Sequence, residues 1–324
     1  MVTVTDTPPP PIQRDEKALS TALDEAIPPR IYDRNLLIAT WNVRAFGGLT
    51  RKWVSDADDT PKRDLQSIRV IGEILRRFDV VALQEVRGNL EALRETLAFL
   101  GSDWGLILTD VTRGAPGNDE RLGFLFDQRK VQISGLAAEL VVPREELDDI
   151  GPDALQRQFA RTPYAVSFRC GDESFVLVTL HVLYGDSATE RTGELRAIAA
   201  WLDRWARDSD AWDHNFIALG DFNIDRMGDE RYDAFTSTGL HVPADLHRVP
   251  RTLFSDPDNP NKQKFYDQIA WFTEADSRPA LSLAHERSGY FDFRDAALPR
   301  RDLSDFQLSW RISDHYPLWS EFSL

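Results

Sequence analysis

The segment ALGDFNID, residues 218–225, runs from a short apolar stretch directly into side chains that carry oxygen and amide groups. Asp221 and Asn223 lie at the end of this predicted strand. Other predicted strands end in the same way, and the polar residues at their ends are Asn42, Glu85, His181, Asp267, Asp314 and His315. Taken singly, an Asp or Asn after a strand is more often a turn former. Six strands that share this ending instead indicate one polar site.

These side chains favour a hard divalent cation. Carboxylates, amides and two histidines, in a chain with a single cysteine, suit Mg²⁺, Mn²⁺ or Ca²⁺ better than a thiolate zinc site. Hydrolysis of a phosphodiester needs an in-line water, a cation that neutralises charge on the non-bridging oxygens, and an acid for the leaving group. The residue set therefore predicts divalent-metal phosphate chemistry.

Two strand-then-helix units position the first of these residues. NLLIATWNV, at 35–43, is an apolar run that predicts a buried strand opening into a loop. TPKRDLQSIRVIGEILRRF, at 60–78, predicts an amphipathic helix with Thr60 as N-cap and Pro61 at the first helical position. DVVALQEV, at 79–86, predicts a second strand, and a helix is expected over 90–100.

The rest of the chain departs from a repeating strand–helix pattern. RLGFLF, YAVSF, SFVLVTLHV and HNFIALGDFN predict strands, interrupted only by a helix over 188–205. The run YAVSFRCGDESFVLVTL, turning at 170–173, predicts an antiparallel hairpin. Two mixed sheets stacked face to face, with helices outside, fit this order better than one doubly wound sheet. The polar loops 110–120, 145–158 and 255–264 are predicted rims of the site.

Composition and charge limit the kinds of partner. The chain has 324 residues, 42% of them hydrophobic, and a net charge of −15, from 38 Lys and Arg against 53 Asp and Glu. A general electrostatic grip on a polyanion is therefore excluded, and any contact with nucleic acid must be local. Cys170 is the single cysteine, which excludes an internal disulfide framework. With no signal peptide or membrane span evident, we expect a cytoplasmic protein.

Residues 1–34 differ in composition from the rest of the chain. Prolines 8–11, 28 and 29 lie in a segment with few aromatic residues. We expect residues 1–34 to form a flexible, solvated arm with at most one short helix over 15–26. No linker is evident after residue 35, so residues 35–324 are expected to form one catalytic domain.

The motifs TWNVRAFG, ALQEVRG, TLHV, GDFNID, YDQIAW and SDHYPL occur in this order along the chain. In this order and spacing the sequence resembles the endonuclease/exonuclease/phosphatase superfamily, from residue 35 to the end. The resemblance implies an α/β fold: a four-layer α/β/β/α sandwich of two mixed, largely antiparallel sheets flanked by helices. It also implies a site at one end of the sheets.

Within the superfamily the chain is most similar to the pancreatic deoxyribonuclease-like branch. The residues that carry this similarity are Glu85-Val86-Arg87, Glu120-Arg121, Arg161-Thr162-Pro163, and His181 with Tyr184-Gly185-Asp186. Sphingomyelinases and inositol-phosphate phosphatases share the metal and histidine motifs but are less alike around Arg87, Glu120 and Arg161. The chain departs from the branch at Asn118, where the branch carries a tyrosine that packs into the minor groove of DNA.

The resemblance implies an endonuclease that hydrolyses DNA to 5′-phosphate and 3′-hydroxyl ends. The alternatives are a phosphatase or a phospholipid or sphingomyelin phosphodiesterase on the same scaffold, and an inactive binding module. Glu85 and Asp314 would hold Mg²⁺, with Mn²⁺ or Ca²⁺ as alternatives, and Asn42 would ligate the metal or position the phosphate. Asp221 would orient or deprotonate the attacking water, and Asn223 would donate to the phosphate.

Two imidazole–carboxylate pairs are implied in addition. His315 pairs with Asp267, and His181 pairs with Glu120, on the two sides of the scissile phosphorus. The resemblance does not assign which histidine is the acid and which is the base. Arg87 and Arg161 would bind phosphates, which reconciles a net charge of −15 with a polyanionic substrate.

Overall fold

A computed structural model describes residues 2–112, 118–140, 161–182, 188–208, 215–256, 258–273 and 281–324. The predicted rim 145–158 and the motif at 184–186 lie outside these residues. The α-helices are α1 Pro10–Ala26, α2 Leu65–Leu75, α3 Glu91–Leu100, α4 Ala188–Arg207, α5 Glu230–Thr236 and α6 Asp305–Ser309. The strands are β1 Asn35–Phe46, β2 Val80–Arg87, β3 Trp104–Leu108, β4 Glu120–Asp127, β5 Gln132–Glu139, β6 Tyr164–Cys170, β7 Glu173–His181, β8 Phe216–Asp221, β9 Leu240–His241, β10 Asp267–Phe272, β11 Ala284–Tyr290 and β12 Leu318–Ser323.

The strands form two mixed sheets. The first has the order β11-β12-β1-β2-β4-β3, and the second has the order β5-β6-β7-β8-β10-β9. Each sheet contains one parallel pair, β1 with β2 and β7 with β8, and its other pairs are antiparallel. The predicted hairpin is confirmed as β6 and β7, and the predicted helices over 90–100 and 188–205 are confirmed as α3 and α4.

Alternation along β1 explains how the layers stack. Leu36 and Ile38 point into a core that they share with residues of both sheets and of α4. Leu37 and Trp41 point the other way, into a core with α1, α2 and α3. Successive side chains of a strand face opposite sides, so a strand buried on both sides is apolar throughout. The predicted architecture, two mixed sheets with helices on both outer faces, is confirmed.

Helix α1 packs on the outer core instead of lying in solvent. Leu19 and Leu23 are fully buried there. Asp15 is ion-paired with Arg300, with Oδ1 and Nε 2.7 Å apart. The prediction of a flexible arm over residues 1–34 is wrong for this segment, because an apolar stripe on the helix covers α2. Prolines at its start are compatible with a helix, since the first-turn N–H that proline lacks has no helical partner.

Helix α2 begins at Leu65, not at the predicted Pro61. Asp64 is its N-cap, and the Oδ1 atom accepts a hydrogen bond from the backbone N–H of Ser67 at 3.0 Å. A capping carboxylate satisfies one of the free N–H groups of the first turn and suits the positive end of the helix dipole. Nη1 of Arg301 lies 2.6 Å from Oδ2 of Asp64, so an ion pair links the N-cap to the C-terminal part of the chain. Among the described residues, no helix combines the length and apolarity needed to cross a membrane.

Candidate active site

Three of the predicted site residues share one row across the second sheet. Asp221, at the end of β8, lies opposite His181 of β7 and opposite Asp267 of β10. Residues opposite one another on neighbouring strands point to the same face of a sheet. All three are buried. The strand register alone therefore brings together a histidine and two carboxylates that are far apart in the sequence.

Asn42 connects the first sheet to this row. Its Nδ2 atom donates to Oδ2 of Asp221 at 3.0 Å and to Oε1 of Glu85 at 3.1 Å. Ionised carboxylates only accept hydrogen bonds, so the amide nitrogen must face both of them. The amide oxygen of Asn42 is consequently directed elsewhere, and it is buried without a hydrogen-bond partner among the described residues.

The predicted metal ligands lie beside the last residues of β1, which follow Asn42. Oε2 of Glu85 accepts from the backbone N–H of Ala45 at 2.8 Å, and Oδ2 of Asp314 lies 3.4 Å from Nη1 of Arg44. Oδ1 of Asp314 is buried and has no hydrogen-bond partner in the described part of the chain. Buried oxygen atoms are rarely left unpaired. The unpaired amide oxygen of Asn42 and the unpaired carboxylate oxygen of Asp314, together with the carboxylate of Glu85, are hard oxygen donors of the kind that Mg²⁺ prefers, so these residues fit a divalent cation.

His315 and Asp267 form the first imidazole–carboxylate pair. Nδ1 of His315 lies 2.7 Å from Oδ2 of Asp267, and since a carboxylate can only accept, Nδ1 carries the hydrogen. Nε2 is left to face Oδ2 of Asp221, 3.9 Å away. Burial opposes the charged imidazole, but Asp267 and Asp221 outweigh it and raise the pKa of His315 well above its ordinary value. Tyr266 stacks on the ring, with centroids 5.8 Å apart.

His181 and Glu120 form the second pair, with looser geometry. Nδ1 of His181 lies 3.4 Å from Oε2 of Glu120 without an aligned hydrogen bond, and Nε2 lies 3.6 Å from Oδ2 of Asp221. Burial, together with the positive charge of Arg161, holds the pKa of His181 well below its ordinary value. Burial and the nearby charge of Glu85 raise the pKa of Glu120 to about 7. The two histidines thus occupy electrostatically opposite environments.

Glu120 is the centre of a small cationic cluster. Nε of Arg161 lies 2.7 Å from Oε2 as an ion pair without hydrogen-bond alignment, and Nη2 of Arg87 lies 3.2 Å from Oε1. Asn118 donates from Nδ2 to Oε1 at 2.7 Å. Arg161 is only 8% exposed, so it positions Glu120 in this structure, whereas Arg87 is 29% exposed and is the arginine that can reach a ligand.

Asn223 lies two residues beyond Asp221 and is also buried. Its backbone N–H donates to Oδ1 of Asp221 at 3.0 Å, and its Nδ2 donates to the carbonyl oxygen of Val182 at 2.6 Å. These two hydrogen bonds fix the position of the Asp221 carboxylate. Burial raises the pKa of Asp221 to about 6, against the lowering effect of His315.

A second group of donor atoms offers another place for a cation. Asp221, Asp267 and His315 each present one ligand atom within 4.8 Å of the others. Because Nδ1 of His315 and Oδ2 of Asp267 already bind each other, the atoms still directed inwards are Nε2 of His315 and Oδ2 of Asp221. This group lies across Asn42 from Glu85, so the cleft presents oxygen ligands on both sides of the amide.

Sequence reasoning missed two residues that hold the site together, Arg63 and Ser313. Arg63 is buried and donates to the carbonyl oxygens of Arg44, Ala45, Arg311 and Ile312. The hydroxyl of Ser313 donates to the carbonyl oxygen of Asn42 at 2.6 Å and accepts from the N–H groups of Arg44 and His315 at 3.1 Å. These bonds join the end of β1 to the segment that carries Asp314, one of the predicted metal ligands. The SD dipeptide before His315 was a usable signal for Ser313, whereas nothing local marks Arg63.

The fold and this cluster belong to one class of proteins, the α/β sandwiches that carry a polar site at one end of two facing sheets. The chain belongs to the Endonuclease/Exonuclease/phosphatase family, whose sequence model matches residues 39–315. The match spans every predicted site residue from Asn42 to His315.

Two deoxyribonucleases are among the similar proteins. A deoxyribonuclease of Thioalkalivibrio sp. (strain K90mix) is 28% identical over 59% of this chain and 46% of that protein. The chain therefore spans about half the length of this relative. Deoxyribonuclease-1 of Bos taurus is 26% identical over 88% of this chain and 91% of that protein.

Solved structures support the fold at lower identity. A mannosyl-6-phosphatase of Bacteroides thetaiotaomicron has a TM-score of 0.59 and 18% identity, covering 89% of this chain and 100% of that one. TDP2 of D. rerio, solved with a single-strand DNA product, has a TM-score of 0.57 and 16% identity, covering 90% of this chain and 99% of that one. Similarity at this identity establishes the shared fold alone.

Proposed function

We propose that this protein is a divalent-metal-dependent endonuclease that hydrolyses DNA to 5′-phosphate and 3′-hydroxyl ends. One observation carries the proposal: two imidazole–carboxylate pairs converge on one oxygen of Asp221, beside two buried oxygens for which the described part of the chain supplies no hydrogen-bond partner. The similarity to two deoxyribonucleases supports DNA as the substrate.

The opposite environments of the two histidines suggest a division of work. His181 is held neutral, so it can accept the proton of an attacking water at Nε2. His315 is held protonated, so it can donate a proton from Nε2 to the leaving 3′-oxygen. A new bond forms between water oxygen and phosphorus as the P–O3′ bond breaks, which yields the 5′-phosphate and the 3′-hydroxyl. Asp221, between the two rings, orients the water.

The residues around these groups would bind the phosphate and a cation. Asn42, Glu85 and Asp314 would hold Mg²⁺, or Mn²⁺ or Ca²⁺ in its place. When bound, the cation would neutralise charge on the non-bridging oxygens. Asn223 and Arg87 would donate to the phosphate, and Arg161 would keep Glu120 in place. Because the chain carries a net charge of −15, these local donors must replace a general electrostatic attraction.

A comparison of substrates tests the proposal. The purified protein is assayed with Mg²⁺ on supercoiled plasmid, bis(4-nitrophenyl) phosphate, 4-nitrophenyl phosphate and sphingomyelin vesicles, and kcat/KM is compared. We expect plasmid to be the best substrate, and the nicks to be sealed by a DNA ligase without prior kinase treatment, because the ends are 5′-phosphate and 3′-hydroxyl. Higher kcat/KM on the monoester or on sphingomyelin would overturn the assignment to DNA and keep the site.

A cytoplasmic location is part of the proposal. It is supported by the single cysteine, Cys170, which is buried and has no second cysteine to pair with in the chain. Fractionation of cells that express the tagged full-length protein tests it: recovery in the culture medium would contradict it.

A further inference from the structure

Exposed aromatic rings are concentrated at one side of the candidate site. Among the described residues, the exposed large aromatic side chains are those of Tyr32, Phe254, Phe306 and Trp310. Phe254 lines the same cavity as Asp314 and His315, and Asp305, the residue before Phe306, lines it too. Scattered exposed apolar residues are ordinary on a protein surface. The rings of Phe254, Phe306 and Trp310, by contrast, are grouped on the side of the site that carries Asp314.

Phe306 and Trp310 form one surface, which we call the aromatic shelf. Phe306 is 60% exposed and Trp310 is 42% exposed, and their rings lie 6.5 Å apart in an edge-to-face arrangement. The guanidinium carbon of Arg44 lies 4.0 Å from the centre of the Trp310 ring. Nη1 of Arg44 also binds the hydroxyl of Ser309 at 2.7 Å and lies 3.4 Å from Oδ2 of Asp314. Arg44 thus joins the aromatic shelf to Asp314, one of the predicted metal ligands.

The cations of the adjoining cavity are paired with carboxylates. The cavity has a volume of about 770 Å³ and reaches Asp314 and His315. Its cations are Lys262, Lys264 and Arg294, and each lies within 3.6 Å of a carboxylate oxygen. Cations that already have carboxylate partners give a phosphate backbone little net attraction. The exposed aromatic faces beside the cavity offer a further kind of contact, which does not depend on net positive charge.

We propose that the aromatic shelf stacks on unpaired bases of the substrate strand and makes the enzyme prefer single-stranded to duplex DNA. Phe254, on the cavity wall, would hold a neighbouring base of the same strand. In a duplex both faces of each base are covered by its neighbours, so only an unpaired base can present a face to a side chain. Base-to-aromatic stacking is sequence-tolerant and does not need a positively charged protein. This proposal rests on the proposed nuclease function.

The test is the ratio of kcat/KM on a single-stranded oligonucleotide to kcat/KM on its duplex. We expect the wild-type protein to favour the single strand. Trp310→Ala should lower the ratio about tenfold, and Phe306→Ala should lower it as well, while Trp310→Phe should restore most of it because a stacking ring is retained. Tyr32→Ala removes an exposed aromatic ring elsewhere and is the matched control, for which the ratio should not change.

The ratio separates stacking from indirect damage. If Trp310 acted only by holding Arg44 near Asp314, Trp310→Ala would lower both rates equally, and an unchanged ratio would overturn the proposal. Gel filtration of the same variants tests another occupant: a wild-type dimer that Trp310→Ala dissociates, with an unchanged ratio, would assign the shelf to a second copy of the chain.

A binding assay keeps this proposal distinct from the proposed function. Fluorescence anisotropy of a labelled single strand and of its duplex is measured in the His181→Ala background, where hydrolysis does not interfere. Tighter binding of the single strand that is lost in His181→Ala/Trp310→Ala supports the shelf, and equal binding of the two DNA forms overturns it. Failure of the wild-type protein to hydrolyse any phosphodiester would overturn the proposed function alone.

Discussion

His181 and His315 direct their Nε2 atoms at the same carboxylate oxygen, Oδ2 of Asp221, from 3.6 and 3.9 Å. The pKa of His181 is held below its ordinary value and the pKa of His315 above it. Pairs of titratable groups whose environments push their pKa values apart are typical of acid–base catalysis. One imidazole is therefore ready to accept a proton and the other to donate one, at the same pH.

The first prediction concerns pH. The pKa of Asp221 is raised to about 6, so the carboxylate becomes protonated as the pH falls through that value. We expect kcat/KM to fall over the same pH range, because the protonated group can no longer orient the water in the same way. On the alkaline side activity requires the proton of His315, whose raised pKa keeps that proton to well above pH 6.5. A profile of kcat/KM from about pH 5 to about pH 10 checks this. An alkaline decline that is complete by about pH 7 would contradict the assignment of His315 as the acid.

The second prediction concerns Asp267, whose carboxylate accepts a hydrogen bond from Nδ1 of His315. Asp267→Asn keeps the shape of the side chain but removes the charge, so the pKa of His315 should fall and the ring should become neutral at neutral pH. We expect kcat to fall about a hundredfold to ten-thousandfold. Steady-state kinetics measures this loss, and NMR titration of His315 measures the pKa. Asp58→Asn, at an exposed aspartate, is the control. Full activity with a lowered pKa would contradict the role of the proton.

The third prediction concerns the metal. Glu85→Gln should raise the Mg²⁺ concentration for half-maximal activity at least about tenfold, since loss of even an outer partner of a metal ligand has an effect of this size. Mg²⁺ should also raise the melting temperature of the wild-type protein, because a ligand that binds only the folded state stabilises it. Both effects should persist in Glu286→Gln, at an exposed glutamate. An unchanged Mg²⁺ requirement in Glu85→Gln would move the cation to the group around Asp221.

The fourth prediction concerns helix α1. Leu19 is fully buried in the outer core, so Leu19→Ala should lower the free energy of unfolding by about 2–5 kcal/mol. Lys17→Ala, on the exposed side of the same helix, should change it by less than about 0.5 kcal/mol. Urea denaturation followed by circular dichroism measures both. Equal, negligible effects would mean that the helix does not contribute to the folded state and that the arm is flexible after all.

Much of the site could be predicted because polar endings of apolar strands are a local pattern. His181 and Asp221 each end a strand and Asp267 begins one, and the register of β7, β8 and β10 then aligns them in one row. The sequence pattern identified the residues, and only the structure supplies the order of the strands. The opposite pKa shifts of the two histidines also depend on the structure, because burial and neighbouring charges are not local properties.

Other features left no local signal. Arg63 joins the end of β1 to residues 311 and 312 through four carbonyl oxygens, yet in the sequence it is one basic residue before a helix. Glu85 adopts a φ of 59° within a strand, a left-handed conformation that residues with side chains seldom adopt, and the β2–β4 pairing shifts register there. The bulge directs Glu85 to Ala45 and Asn42. Helix α1 was mistaken for an arm because the apolar surface it covers lies in other parts of the chain.

The proposed site is tested by the nicking of supercoiled plasmid with Mg²⁺, with EDTA, and with the His315→Ala protein. We expect the wild-type protein to nick the plasmid only with the metal, and His315→Ala to lose about a hundredfold or more of that rate. His241→Ala, at an exposed histidine on β9, should retain it. Nicking that persists in EDTA, or that is equal in His315→Ala and wild type, would contradict the proposed site.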